Sequence, residues 1–142
     1  MIHMRKVQII SIFFLLLPFL FSGSAGPGIR RKATRPHTVT QIQIVCCRGE
    51  NTLTRHYTQP HKIQPVLHYM RMLKREGAAD TDPERLTGDR FDITLYYSDG
   101  QHRIYRQRSN RYLSKNCAPW EKIDQQHAQL LYPMLQAMPS DL

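Results

Sequence analysis

The sequence predicts an α+β fold: an antiparallel sheet of about five strands in the order β-β-α-β-β-β-α, with two helices packed on one face. Three observations carry that prediction. Two alternating runs flank a turn at Gly49, Glu50 and Asn51, a helix-spaced apolar stripe begins after Gln59, and Asp99-Gly100 separates two further alternating runs. Alternation with period two buries one face of a strand, whereas apolar residues at i, i+3, i+4 and i+7 line one side of a helix.

Residues 40–47 open the domain as a half-buried strand, with Ile42, Ile44 and Cys46 on one face and Gln41, Gln43 and Val45 on the other. Residues 52–57, rich in β-branched and aromatic side chains, pair back on it as a hairpin. The period then changes. Ile63, Val66, Leu67, Met70 and Leu73 form one helical stripe, with Lys62, Arg71, Lys74 and Arg75 off it. Thr58 is the expected N-cap and Pro60 suits the first turn, where no backbone donor is required. Pro65 is expected to delay the regular helix or kink its opening turn, and Gly77 to end it. Residues 78–89, with Asp80, Asp82, Pro83 and Gly88, read as an exposed loop.

Asp-Gly between two alternating runs calls for a two-residue type I′ turn. Counting outward opposes Tyr97 to His102, Leu95 to Ile104 and Ile93 to Arg106 on one face. The other face opposes Tyr96 to Arg103 and Thr94 to Tyr105. A second tight turn at Ser109-Asn110 then places Tyr112 opposite Gln107 and Leu113 opposite Arg106, completing a three-stranded meander. Asp124 is a good N-cap for a last helix with the stripe Ala128, Leu131, Leu135 and Met138, and Pro133 predicts a kink there or two short helices.

The domain is preceded by an address. Arg5 and Lys6 stand before the apolar run of residues 9–21, and Ser22, Gly23, Ser24 and Ala25 supply the small side chains of an export cleavage site. Residues 1–25 therefore read as a signal peptide, residues 26–38 as a basic flexible linker, and residues 39–142 as a single α+β domain. The expected location is secreted or extracytoplasmic, with a membrane contact only through residues 7–21 if the signal is retained. Loss of Arg5 and Lys6 with the signal lowers Lys plus Arg from 20 to 18 against 11 acidic residues, leaving a net charge of +7. A positive balance favours anionic partners but does not speak to fold.

The register above gathers Tyr96, Arg103, Tyr105 and Tyr112 on the solvent side of the meander, with Gln107 alongside. Aromatic rings interleaved with guanidinium groups can stack on flat ligands and pair with carboxylate or phosphate. The expected function is a small binding module for an extracytoplasmic protein or an anionic envelope polymer. One alternative is a secreted hydrolase using His56, His61 and His68 near the first helix; another is a structural or inhibitor-like module whose contact surface is the loop of residues 78–89. No catalytic residue is assigned, and no cofactor or metal is expected, because no H-E-x-x-H or C-x-x-C motif is present. Genomic nucleic acid is not an expected partner, since no nucleic-acid-binding motif accompanies the charge. Export makes Cys46, Cys47 and Cys117 candidates for a disulfide, with Cys117 bridging one of the adjacent pair.

Arg55-His56-Tyr57-Thr58, the helical run of residues 66–73, Tyr97-Ser98-Asp99-Gly100, Tyr112-Leu113 and Trp120 together resemble small uncharacterised exported proteins of Gram-positive, gut-dwelling bacteria. The resemblance spans most of residues 40–142 and rests on structural motifs. It implies an extracytoplasmic bacterial domain and carries over no catalytic residue.

Overall fold

The computed structural model describes residues 37–141. The expected signal peptide and nearly all of the expected linker lie outside the described residues. The fold is α+β. Seven antiparallel strands, two more than the sequence predicts, form one sheet: β1 (Val39–Arg48), β2 (Asn51–Tyr57), β3 (Arg75–Ala78), β4 (Arg90–Tyr97), β5 (His102–Arg108), β6 (Tyr112–Lys115) and β7 (Glu121–Ile123). Their order across the sheet is β2-β1-β4-β5-β6-β7-β3. One long helix, α1 (Pro60–Met72), and two short ones, α2 (Gln125–Ala128) and α3 (Leu131–Ala137), complete the fold. Among the described residues no helix is long and apolar enough to cross a membrane.

The core follows from the alternation. Ile42, Ile44 and Cys46 of β1 and Phe91, Ile93 and Leu95 of β4 face the helices and are buried, beneath Ile63, Val66 and Tyr69 of α1 and Leu131 and Leu135 of α3. Each such aliphatic or Phe side chain stabilises the fold by roughly 1.5–3 kcal/mol. A smaller cluster of Leu113, Ile123 and Ala128 lies beyond it, and Leu73 and Tyr105 pack against both.

Three local expectations are corrected. The helix ends at Met72, not at Gly77, because Leu73 is already extended and the backbone of Lys74 is captured by Asp124. The Lys74 N–H donates to Asp124 Oδ1 at 2.6 Å and its carbonyl accepts from the Asp124 N–H at 3.1 Å. That capture starts β3, where Gly77, at φ +118°, absorbs a register shift against β7. Both β3 and β7 are too short to display an alternation. Pro65 neither delays nor ends α1, which runs unbroken from Pro60 and forgoes the one bond its missing N–H would have made. Thr58 does not supply the cap: Gln59 stands at the N-cap without a side-chain cap bond, and the far end of the chain instead holds the two residues before the helix. The Asp141 carboxylate accepts from the Thr58 N–H at 2.6 Å and the Gln59 N–H at 3.0 Å, and pairs with Lys62 at 2.7 Å.

The same tail covers the β2 edge. The His56 N–H donates to Ser140 Oγ at 2.8 Å, and the His56 carbonyl accepts from the Asp141 N–H at 2.8 Å. The Tyr57 hydroxyl donates to the Met138 carbonyl at 2.7 Å. At the other helices Asp124 caps α2 as expected, and the final helical stripe divides into two short helices. The break precedes Pro133, which lies in the first turn of α3, where its missing donor costs nothing.

Candidate functional site

Two three-residue loops decide which side chains meet. The β4–β5 connection is Ser98-Asp99-Gly100, closed by the Tyr97 N–H donating to the Gln101 carbonyl at 2.9 Å, with Gly100 at φ +85°. A turn of this kind, ending in a left-handed glycine, adds one residue to the two-residue loop the sequence suggested. Pairing therefore runs Tyr96 to His102, Leu95 to Arg103 and Ile93 to Tyr105. Likewise Arg108 pairs with Tyr112 and Gln107 with Leu113 across the β5–β6 loop, where Ser109 and Asn110 both take φ of 52°.

A one-residue change of register moves a strand's side chains to the opposite face. The expected cluster is thereby divided: Tyr96 and Tyr112 lie on the face away from the helices, while Arg103 and Tyr105 lie on the helix side. Gln107, expected at the surface, is fully buried. Its Nε2 donates to the Ala128 carbonyl at 3.2 Å, and its Oε1 accepts from the Tyr69 hydroxyl at 2.5 Å.

On the face away from the helices, the loop of residues 79–89 is docked rather than free. Pro83 is buried, and the Tyr112 hydroxyl donates to Asp80 Oδ1 at 2.9 Å. The hydrogen bond from Tyr112, with Lys122 adding a second, holds the Asp80 carboxyl below its ordinary range. Arg108, only 4 % exposed, ties this region together. It reaches Glu84 at 3.2 Å, Asp92 at 3.0 Å and the Phe91 and Gln107 carbonyls at 3.1 Å, with its guanidinium 5.7 Å from the Trp120 ring centroid. Its cation is neutralised where it stands. Tyr96, with its hydroxyl 3.5 Å from Gln43 Oε1 and its ring 6.1 Å from His102, remains half-buried on the uncovered part.

The helix side is different, because α1 and α3 cover β1 and β4 more fully than they cover β5 to β7. What remains is a trough of two shallow cavities that share Arg75 and Leu113 as a common wall. The one beside α1 has a volume of about 240 Å³ and is walled by Leu67, Met70, Leu73, Leu95, Tyr105 and Leu113. The other, of about 360 Å³, continues past Lys115 to Ala118, Pro119 and Trp120. The trough therefore runs along the seam between the two core clusters.

Its rim is basic. Arg71 and Arg75 border the first cavity and Lys115 the second, while Arg103 stands two residues before Tyr105 on the same face. Arg75 is paired with Glu121 at 2.8 Å. Arg71, Arg103 and Lys115 make no ion pair among the described residues; Arg103 lies 5.2 Å from the Tyr97 ring centroid and Lys115 6.0 Å from that of Tyr105. Sequence reasoning singled out Arg103 and Tyr105 but missed Arg71, Arg75 and the apolar floor. The helix stripe through Leu67, Met70 and Leu73 carried half of that signal.

The histidines do not converge. His61 and His68 are exposed along α1, separated by about 10 Å of helical rise. His56, next to Arg55 and Tyr57, which reach the carbonyls of Leu135 and Met138 on the helix side, points to the opposite face of the sheet. His68 shares a cleft of about 280 Å³ with His127. His127 Nδ1 bonds to Asp124, but Asp124 is the α2 cap, and no Ser, Thr or Cys lines the cleft to act as a nucleophile. Among the described residues no group of His, Cys, Asp or Glu is arranged to hold a metal ion.

All three cysteines are free thiols: Cys46 buried, Cys47 half-buried and Cys117 exposed. Cys117 follows β6, three strands across the sheet from β1. At about 4.8 Å per strand that is about 14 Å, twice the reach of a disulfide between Cα atoms. The expected bridge from Cys117 to Cys46 or Cys47 is not formed. Burial, with Asp89 nearby, raises the Cys46 thiol to about 11. Compared with known proteins, the chain matches no protein-family model, no curated protein and no solved structure.

Proposed function

We propose that the chain is a small extracytoplasmic binding module whose site is the basic-rimmed trough, and that its partner is anionic. The observation that carries the reading is an apolar floor continuous with the core, bordered by Arg71 and Lys115, which make no ion pair among the described residues, with Arg103 on the same face two residues before Tyr105. A folded domain gains nothing for its own stability by leaving cations unpaired around uncovered apolar surface; both features favour a ligand with an apolar part and a negative part. The export signal read from residues 1–25 and the resemblance to exported bacterial proteins supply the compartment. Of the Tyr/Arg set, Tyr105 lines the trough and Arg103 shares its face, and both keep their proposed role, whereas Tyr112 serves the docked loop.

Retention of the full chain on immobilised anionic envelope polymer tests this. An Arg71→Glu/Arg103→Glu/Lys115→Glu variant with an unchanged far-ultraviolet circular dichroism spectrum is expected to lose retention that the unaltered chain shows at low salt. Equal retention of the two proteins refutes the trough as the site.

A further inference from the structure

Resting on that reading, we infer that the trough takes a single-chain anionic amphiphile: an acyl or alkyl chain along the apolar floor, with a carboxylate or phosphate head at the Arg71–Arg75 and Lys115 rim. The argument begins with what the walls can satisfy. In the cavity beside α1, Tyr105 has the only neutral side chain able to donate a hydrogen bond; the other neutral lining residues are Leu67, Met70, Leu73, Leu95 and Leu113. An extended peptide would bring one N–H and one C=O per residue into that lining. Its N–H groups would find no acceptor side chain there except the Tyr105 oxygen, and an unmet buried donor costs about 1–3 kcal/mol. A hydrocarbon chain carries no such groups and gains from burial at about 0.8 kcal/mol per methylene.

The head follows from the rim. Guanidinium groups present planar forks that match carboxylate and phosphate oxygens, and Arg71 has no competing acid. Arg75 already holds Glu121, so Arg71 and Lys115 are the positions that most need an incoming anion. The larger cavity, about 360 Å³, falls in the range of small-ligand sites, and the one beside α1, about 240 Å³, lies just below it, a size that suits a slender chain. The two cavities share Arg75 and Leu113 in their linings, so an elongated ligand can touch both where a compact one would fill one.

Trp120 is among the residues lining the larger cavity and is the sole tryptophan, so its emission is followed beside the heat of binding. The full chain is titrated with dodecyl phosphate, dodecanoate, neutral dodecyl maltoside and inorganic phosphate, all below micelle concentrations. Both anionic amphiphiles are expected to give a saturable response, dodecyl maltoside to bind at least about tenfold more weakly, and inorganic phosphate to give none. Arg71→Glu and Lys115→Glu are each expected to weaken dodecyl phosphate binding about tenfold, while Arg71→Lys keeps most of it. Every variant carries the same residues 1–36, so any uptake by that apolar segment is common to all and does not enter the difference. Equal binding of the neutral amphiphile, or indifference to both charge reversals, overturns the inference. A saturable response to an acidic peptide that is lost in the same variants, without one to dodecyl phosphate, overturns the ligand class and leaves the binding module standing. Failure here together with equal retention on anionic polymer removes both.

Discussion

Replacing Tyr69 by Phe removes one oxygen from a side-chain hydrogen bond enclosed in the core. Tyr69 is 6 % exposed and Gln107 is 0 % exposed, and the Tyr69 hydroxyl donates to Gln107 Oε1 at 2.5 Å, with the Ala128 carbonyl 3.3 Å away. Without the hydroxyl, Gln107 Oε1 is left buried without this donor, at a cost of about 1–3 kcal/mol. With a urea slope of about 1–3 kcal/mol per molar for a small domain, the unfolding midpoint should fall by about 1 M with no change of slope. Gln107→Leu should cost less, because the Tyr69 hydroxyl still has the Ala128 carbonyl to bond. The double variant should then be more stable than the two losses predict, by a coupling of at least about 0.5 kcal/mol. Urea unfolding followed by circular dichroism reads all four proteins. A midpoint shift below about 0.3 M for Tyr69→Phe, or strictly additive losses, would refute the account of Gln107 as a carboxamide dependent on this donor.

Five further outcomes follow from contacts elsewhere in the fold. The Lys62 ammonium and the Thr58 amide hold the Asp141 carboxyl well below the usual range, so its stabilisation is present at neutral pH and is lost as the pH falls below about 3.9. Asp141→Asn should therefore lower the melting temperature at pH 7 and converge on the unaltered protein in acid, and deleting residues 138–142 should speed hydrogen exchange at the His56 amide. Burial raises the Tyr57 and Tyr69 hydroxyls above their ordinary value, so the unfolded chain releases those protons first and stability should decline above about pH 10; Tyr69→Phe should flatten that decline in thermal melts. Arg108→Met should cost about 2 kcal/mol or more in urea unfolding, because the Phe91 and Gln107 carbonyls lose a donor, yet leave dodecyl phosphate affinity unchanged. In the native protein a maleimide should modify Cys117 first, Cys47 more slowly and Cys46 only on unfolding, with mass spectrometry counting three labels under denaturing, non-reducing conditions.

Much of the architecture is legible within single segments. The alternation of Ile42, Ile44 and Cys46 and the stripe of Ile63 and Val66 predict the buried faces, and Asp124 announces its cap, because each signal depends only on neighbours a few residues away. Tyr69 was missed as a core position because its hydroxyl makes it look amphipathic, and only Gln107 from β5 gives that hydroxyl a buried partner. Helix α1 stops early for a similar reason: Asp124, fifty residues later in the chain, competes for the Lys74 backbone. The Asp141 carboxylate that holds Thr58 and Gln59 ahead of α1 comes from still farther away.

The candidate site was half legible. Arg103 and Tyr105 stood out as part of a basic, aromatic set, and the register between strands was the step that failed. Period-two alternation fixes which residues share a face within one strand, but relating that face to the next strand requires the loop length to the residue. One extra residue at Ser98-Asp99-Gly100, and another across Ser109 and Asn110, turned Gln107 inward and set Arg103 apart from Tyr96. By itself, then, the sequence determined the α+β class, the principal strands and helices, the positive charge and the chemistry of Arg103 and Tyr105. The tertiary structure decided that Arg108 is neutralised, that the C-terminal tail closes the β2 edge, and that Arg71, Arg75 and Lys115 surround an uncovered apolar trough. Those outcomes depend on contacts between residues far apart in the chain, and local propensity carries no information about which distant backbone or charge will be there to meet them.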